Sequence, residues 1–163
     1  EITDENLKTV QNLVYVSFEP ERHFMKALQA NIDTIDSFLK SPDKAFYSFP
    51  YSYKPAETGS SHVKRENFNP DFFLKLKNKN EILVVEIKTD GDSHPKNRAK
   101  YRDAQEHFKV LNKKLKDKGV EWTYHFYFLS PDNYTDFFQS VRNGKLNWKS
   151  ELMQILDNTN SPF

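Results

Sequence analysis

Two carboxylates and one ammonium group lie in two neighbouring apolar segments of the chain, and the two carboxylates could hold a divalent cation. Asp71 begins the segment Asp71–Lys77, and Glu86 and Lys88 belong to the segment Glu81–Thr89. Carboxylates, carbonyl groups and water are the oxygen ligands that Mg²⁺ prefers. Apolar residues alternate in both segments, which predicts β-strands in which every second residue shares a face.

A short turn at Asn78 and Lys79 predicts how these two strands pair, since Asn tolerates the positive φ that such a turn needs. In that register Asp71 lies opposite Glu86, and the wholly apolar faces of both strands coincide, as a buried sheet face requires. Opposed carboxylates raise each other's pKa unless a cation neutralises them. Lys88 supplies one positive charge, and a Mg²⁺ ion would supply the rest. The alternative is that Lys88 bridges two surface acids that have no chemical role.

The whole sequence predicts an α/β fold with the element order α-β-β-β-α-β-α, in which a mixed sheet is flanked by helices. Apolar residues spaced by three or four predict the first helix, and Gly119 is suited to end the second. The predicted helices are Pro20–Lys40, Asn97–Lys118 and Asn133–Val141, and the predicted strands are Phe46–Tyr53, Asp71–Lys77, Glu81–Thr89 and Trp122–Leu129.

Length and composition favour one domain. The chain has 163 residues and no Cys. This length can bury a core without disulfides, and the lack of Cys excludes a disulfide scaffold, a cysteine nucleophile and a thiolate zinc site. The longest aliphatic run, residues 82–85, is far shorter than a membrane helix. We therefore expect no membrane association and a cytoplasmic location.

The predicted domain spans residues 18–150. Because the chain begins at Glu1 rather than Met, we expect residues 1–17 to be a lead-in from a longer protein, and residues 151–163 to be a C-terminal tail. Residues 1–13, 56–67 and 158–163 are the segments in which we expect flexibility.

Charge is unevenly distributed, although the net charge is only +1. Residues 1–43 contain eight acids and four bases, whereas residues 96–118 contain nine bases and three acids. A local basic excess of this kind indicates a polyanionic partner better than the total charge does. The alternative for such a Lys-rich helix is an ordinary solvated face.

Pro70-Asp71 followed by Glu86-Ile87-Lys88 resembles the PD-(D/E)XK signature of the restriction-endonuclease-like superfamily, and the element order over residues 18–130 is similar to the core of that superfamily. More narrowly, three stretches resemble the C-terminal nuclease domain of type III restriction subunits and related DEAD/DEAH-box helicases; they are Phe46–Tyr51, Phe68–Phe73 and Val85–Asp92. The Gly-rich phosphate loop of the helicase motor does not occur in this chain.

This resemblance implies a Mg²⁺-dependent DNA endonuclease in which Mn²⁺ can substitute. Asp71 and Glu86 would ligate the metal, and the Ile87 carbonyl would add a backbone oxygen. Lys88 would orient or help to deprotonate the attacking water and would stabilise charge on the scissile phosphate. An acid of the first helix often joins such sites, and Glu21 is the best match.

Glu19 is the alternative to Glu21 in the first helix. Asp90, which follows Lys88, is either a further acid of the site or an ordinary turn residue. Contacts with DNA phosphates, which position a duplex without reading its sequence, are expected from Lys96, Arg98, Lys100 and Arg102. The implied partners are DNA, a helicase or ATPase portion of the same full-length protein, and a methyltransferase or specificity subunit.

Two other functions remain open from the residues alone. One is a catalytically inactive module that keeps the nuclease fold and binds nucleic acid. The other is a nuclease that acts on branched or single-stranded DNA or on RNA, because the three side chains specify a chemistry and not the shape of a substrate.

Overall fold

The hairpin that carries Asp71 and Glu86 lies at the centre of a four-stranded mixed sheet. A computed structural model describes residues 9, 11, 14–42, 46–55 and 62–158. Its elements are α1 (Glu19–Ala30), β1 (Ile35–Lys40), β2 (Phe49–Tyr53), β3 (Lys64–Phe68), β4 (Phe72–Leu76), β5 (Glu81–Ile87), α2 (Pro95–Asp117), β6 (Thr123–Leu129), α3 (Tyr134–Arg142) and α4 (Glu151–Asp157), with short 3₁₀ turns at Ile32–Thr34 and Pro131–Asn133.

The predicted mixed α/β architecture with a mixed sheet and flanking helices is confirmed. The large sheet has the strand order β1-β4-β5-β6, in which β1, β4 and β5 are antiparallel neighbours and β6 runs parallel to β5. The parallel pair is joined by α2, as a crossover connection requires. Together with α1, the elements of this sheet follow the chain order α-β-β-β-α-β. None of the helices in the described residues is both long and apolar enough to cross a membrane.

The predicted register of the β4–β5 hairpin is confirmed. Asn78 has a φ of 57° in the turn, and Phe72 pairs with Val85 while Leu74 pairs with Leu83. All four of these apolar residues are fully buried. The shared apolar face therefore fixes the hairpin, because a slip of one residue would put the apolar residues of one strand on the opposite face from those of the other.

The prediction of one long helix over Pro20–Lys40 is wrong in its second half. The helix ends at Ala30, where the Asn31 side chain donates to the Ala27 carbonyl, and the chain then enters β1. A β-bulge at Asp36 places the buried residues of this strand at positions 35, 38 and 40 rather than at every second position. The three-residue step from Ile35 to Phe38 thereby imitates helical spacing.

The predicted strand Phe46–Tyr53 forms only over β2 and does not join the large sheet. It pairs with β3 in a separate two-stranded sheet. β3 begins within the segment 56–67 that we expected to be flexible, of which residues 56–61 are outside the described residues. The first strand of the large sheet is consequently β1, and the β2–β3 hairpin is an insertion between β1 and β4.

Helices and the inserted hairpin cover both faces of the large sheet. On one face, Phe24 of α1 packs on Phe72 and on Phe138 of α3, with ring centroids 4.9 and 5.7 Å apart. On the other face, Phe108 of α2 stacks on Phe126 of β6 at 5.5 Å. The β2–β3 hairpin packs beside α2 on this second face. Glu86 lies on the second face, because its side chain alternates with that of the buried Val85.

The first part of the segment that we expected to be a C-terminal tail is helical and packed. Residues 151–157 form α4, which packs against β6 and α2 and buries Leu152, Met153 and Leu156. The Ser150 hydroxyl begins this helix by accepting from the Met153 N–H, and it also donates to the Phe128 carbonyl at 2.7 Å. The rest of the expected tail, residues 159–163, and most of the expected lead-in 1–17 lie outside the described residues.

The packing of α4 predicts that its inner face stabilises the domain. Leu152→Ala should lower the free energy of unfolding by about 2–5 kcal/mol, because truncation leaves a cavity in the core. Ile155→Ala, in the same helix but 38 % exposed, should lower it by less than about 1 kcal/mol. Urea denaturation of both variants measures the difference, and equal small losses would contradict the placement of α4 in the core.

Candidate metal and phosphate site

The structure brings Asp71, Glu86 and Lys88 together at the open end of the β4–β5 hairpin. The Asp71 carboxylate accepts a hydrogen bond from the Ile87 N–H through Oδ2 at 2.7 Å. The Lys88 Nζ lies 2.5 Å from Glu86 Oε1. The Lys88 backbone N–H donates to the Leu129 carbonyl at 2.8 Å, which fixes the end of β5 against β6. We call these three residues the carboxylate site.

Glu86 is a buried carboxyl group with one unsatisfied oxygen. Its side chain is 4 % exposed, and burial, with the nearby Asp71 carboxylate, raises its pKa to about 8. The Oε2 atom is buried and has no hydrogen-bond partner among the described residues. A buried polar atom without a partner is uncommon and costs free energy. A cation bound at Oε2 would remove that cost.

Two lysines approach Glu86 from different elements. Burial lowers the pKa of Lys88, but the Glu86 carboxylate outweighs this effect and holds the pKa above its ordinary value. Lys100 of α2 lies with its Nζ 3.8 Å from Glu86 Oε1, and burial lowers its pKa. Its ammonium also packs over the rings of Phe68 and Tyr51, at 5.1 and 5.8 Å. The sequence placed Lys100 among the DNA contacts; the structure places it beside the carboxylate site.

Glu21 reaches the same place from the first turn of α1. Its Oε1 lies 3.2 Å from the Nζ of Lys40, which in turn lies 3.9 Å from Asp71 Oδ1. Burial and the Asp71 carboxylate raise the pKa of Glu21, while Lys40 opposes the shift. The alternative acid, Glu19, is 72 % exposed and faces His23 at 3.9 Å. Glu21 is therefore the acid of α1 that adjoins the carboxylate site.

Lys40 belongs to this cluster and was missed by the sequence analysis. It ends β1, and its side chain is 8 % exposed. A helix over this segment would not place Lys40 near Asp71. Only a strand that pairs with β4 brings the two residues together. The β-branched Ile32, Thr34 and Ile35 were a signal against a continuous α-helix, and Ile35 begins β1.

Of the other predicted DNA contacts, Lys96 shares a side of α2 with Lys100, whereas Arg98 and Arg102 do not. Lys96 pairs with Glu66 of β3 at 2.6 Å, and Arg102 donates to Asp103 and to the Ser52 carbonyl at 2.7 and 2.9 Å. The Nε of Arg98 is buried without a hydrogen-bond partner among the described residues. Residues 96 and 100 lie one helical turn apart, whereas 98 and 102 lie on another side of α2.

Glu66 organises a small cluster at the rim of the site. It accepts from the hydroxyls of Tyr51 and Tyr53, both at 2.8 Å, besides pairing with Lys96. Lys96 and then the two hydroxyls lower the pKa of Glu66 to about 2. The tyrosine rings stack at 5.8 Å, and Lys96 lies over the Tyr53 ring at 5.3 Å. The β2–β3 hairpin thus supplies an aromatic wall next to Lys100.

The arrangement limits how a metal ion could be held. Among residues 9, 11, 14–42, 46–55 and 62–158, no group of three or more His, Asp or Glu side chains is disposed around one point as a metal cage. Asp90 accepts from the Asp132 N–H at 3.2 Å, which ties it to the turn after β6. Asp71 and Glu86 would therefore have to share a metal with backbone oxygen and water, as Mg²⁺ sites in proteins commonly do.

The contacts of Glu66 predict a measurable pKa change. Lys96→Gln should raise the pKa of Glu66 from about 2 toward its ordinary value of 4.5, because the largest stabiliser of the carboxylate is lost. An NMR titration of the Glu66 carboxyl carbon measures this shift. The lowered pKa of Glu66 contributes folding stability to the wild type above pH 4.5, and this contribution is lost as the pH falls toward 2. The variant lacks most of this contribution, so its free energy of unfolding should fall less over that pH range.

Lys113→Gln is the matched control for this substitution, because Lys113 is an exposed lysine farther along α2. It should leave the Glu66 titration unchanged. An unchanged pKa of Glu66 in the Lys96 variant would show that the Lys96–Glu66 pair does not form in solution.

Comparison with known proteins adds no relative to this picture. The chain matches no family model, no curated protein and no solved structure. The chemical meaning of the site therefore rests on its own geometry. Buried Glu86, one of whose oxygens has no hydrogen-bond partner among the described residues, lies near the partly exposed Asp71, and three lysines surround the two acids.

Proposed function

We propose that this chain is a Mg²⁺-dependent nuclease domain that hydrolyses phosphodiester bonds of DNA. The observation that carries the proposal is the buried Oε2 of Glu86, which has no hydrogen-bond partner among the described residues and adjoins Asp71 and Lys88. A structural ion pair gains nothing from an unsatisfied buried carboxylate oxygen, whereas a cation site needs one.

The fold supports a place in the restriction-endonuclease-like superfamily. The chain order α-β-β-β-α-β, the antiparallel β1-β4-β5 arrangement and the parallel β6 are compatible with the core that the PD-(D/E)XK resemblance implies. Asp71 precedes β4, and Glu86 and Lys88 lie at the end of β5. The signature residues thus meet through the strand pairing that the proposal requires.

Asp71 and Glu86 would hold the metal ion, with the Ile87 carbonyl as a backbone ligand. The donor set fits Mg²⁺, because it consists of oxygen atoms only and one of them has no hydrogen-bond partner within the described part of the chain. The hydrogen bond from the Ile87 N–H to Asp71 Oδ2 sets that carboxylate against the backbone of Ile87. When bound, the ion would polarise the phosphate and lower the pKa of a bound water.

The lysines would stabilise the negative charge that develops on the phosphate. Lys88 is held as an ammonium by Glu86, since its pKa is raised, which favours electrostatic stabilisation over proton removal for this residue. Lys100 is a second cation at the same carboxylate and acts from α2. Lys96, Arg98 and Arg102 remain candidates for contacts with the DNA backbone around the site.

The wider setting also remains a proposal. It comprises a type III restriction-like or helicase-linked system with a motor elsewhere in the full-length protein, a methyltransferase or specificity subunit as a further partner, and a cytoplasmic location. The three sequence stretches that resemble those nuclease domains support this setting, and the basic α2 supports a polyanionic substrate.

Substitution of the site should abolish hydrolysis. With Mg²⁺ or Mn²⁺, Asp71→Asn, Glu86→Gln and Lys88→Ala should each lower the rate of DNA cleavage about 100-fold or more, because each removes a charge that acts on the metal or the phosphate. Cleavage of plasmid and of linear duplex DNA measures this loss. Single-stranded DNA, branched DNA and RNA tested in parallel identify the substrate.

Asp36→Asn is the control for these variants, because Asp36 is an acid of β1 that pairs with Lys75 away from the site. It should cleave at the wild-type rate. Equal rates in the wild type and the three site variants would refute the nuclease proposal.

Lys100 should act on catalysis and not on substrate affinity. Lys100→Ala should lower kcat at least tenfold with little change in KM, because its ammonium adjoins Glu86. A lysine that only contacts the DNA backbone would instead change KM. Lys113→Ala is the control, because Lys113 lies on the exposed side of α2, and it should leave kcat unchanged. If Lys100→Ala changed KM alone, Lys100 would be a contact to the DNA backbone and not part of the catalytic site.

A further inference from the structure

Lys40 is a buried lysine that the proposed mechanism does not yet use. Its backbone is held on both sides of β1. On one side residue 40 pairs with Phe72 of β4. On the other side its N–H donates to Gln11 Oε1 and its carbonyl accepts from Gln11 Nε2, both at 3.0 Å. Gln11 thus takes the place of a neighbouring strand at this edge. The position of the Lys40 Cα is therefore defined, and its side chain extends from a rigid base.

The ammonium of Lys40 lies between carboxylates from two other elements. Its Nζ is 3.2 Å from Glu21 Oε1 and 3.9 Å from Asp71 Oδ1. It also lies 3.4 Å from the Ser41 carbonyl oxygen and 5.3 Å from the centre of the Phe72 ring. A buried ammonium is retained where carboxylates and other acceptors surround it, and removal of one partner leaves an uncompensated charge.

We propose that the Lys40 ammonium is a built-in cation that occupies the place where a second divalent ion would bridge Glu21 and Asp71, so that the site takes a single metal ion. This inference rests on the proposed function, which places the first ion at Asp71 and Glu86. The two oxygens of Asp71 already face different partners: Oδ1 faces Lys40, and Oδ2 accepts from the Ile87 N–H.

Space and charge both oppose a second ion. Mg²⁺ binds carboxylate oxygens at about 2.0–2.1 Å, so an ion shared by Glu21 and Asp71 would have to displace the ammonium that now lies between them. Lys40 lies beside Glu21 and Asp71, and Lys88 and Lys100 lie beside Glu86, so each acid already has a cation next to it. A divalent ion at Asp71 and Glu86 adds positive charge beside these lysines, and a second ion would add more in a largely buried place.

Glu21 acts on Lys40 and not on a metal ion. The resemblance implied that an acid of the first helix joins the metal site directly. In this structure Glu21 contacts the lysine that faces Asp71, so Glu21 is a positioning residue that holds Lys40. Lys40 in turn neutralises Oδ1 of Asp71 without acting on the substrate.

Counting bound Mn²⁺ tests the inference without any measurement of activity. Isothermal titration calorimetry and the electron paramagnetic resonance of free Mn²⁺, on the full 163-residue chain without nucleic acid, should give one ion for the wild type. Lys40→Gln should bind two, because the vacated place between Glu21 and Asp71 then accepts the metal. Lys40→Arg should restore a count of one, since the cation is restored.

Lys75→Gln is the matched control, because Lys75 is also a lysine of the sheet but pairs with the exposed Asp36; it should bind one ion. Two ions in the wild type, or one ion in Lys40→Gln, would overturn the inference and leave the nuclease proposal intact. No Mn²⁺ bound to the wild type would instead overturn the proposed function and the inference with it. If circular dichroism shows that Lys40→Gln is unfolded, Lys40→Met, which keeps the apolar stem, carries the same expectation.

Discussion

The structure depends on one electrostatic constraint, which is that three carboxylates lie largely buried at the open end of a hairpin. Glu86 is the most buried of them, and its pKa is raised by burial and by Asp71. Charges in such surroundings persist only when opposite charges lie beside them. The protein meets this requirement with Lys40, Lys88 and Lys100, which come from β1, the end of β5 and α2. Three separate elements must therefore be correctly packed before the charges balance.

The apolar parts of the fold bring these charges together. The β4–β5 register is set by Phe72, Leu74, Leu83 and Val85, and that register places Asp71 opposite Glu86 as a by-product of burying the hairpin. The bulge in β1 has a similar effect, because it shifts the alternation of the strand by one residue and thereby turns Lys40 inward. Burial of the apolar residues thus offsets the free-energy cost of a polar cluster that would be unstable alone.

The sequence predicted those features that depend on local patterns. The turn at Asn78 and the alternation of the two strands were sufficient for the hairpin, and hence for Asp71, Glu86 and Lys88. The β1 strand could not be predicted in this way, because the bulge spaced Ile35 and Phe38 as a helix would. Because β1 was not predicted, the place of Lys40 in the site was not predicted either. Glu66 and the pairing of β2 with β3 were also hidden, because β3 is polar and largely exposed. It is β2, its partner strand, that packs on α2.

The distribution of charge along the chain has a different meaning once the contacts are known. The basic excess of residues 96–118 suggested a surface open to a polyanion. Two of its lysines are instead paired within the protein, because Lys96 contacts Glu66 and Lys100 contacts Glu86. The acidic first quarter of the chain likewise supplies the cation Lys40. Local net charge therefore overstates the positive potential of α2, since part of that charge balances acids from distant positions in the sequence. The positive charge available to a phosphate backbone is therefore the charge that a bound divalent ion would add near the carboxylate site.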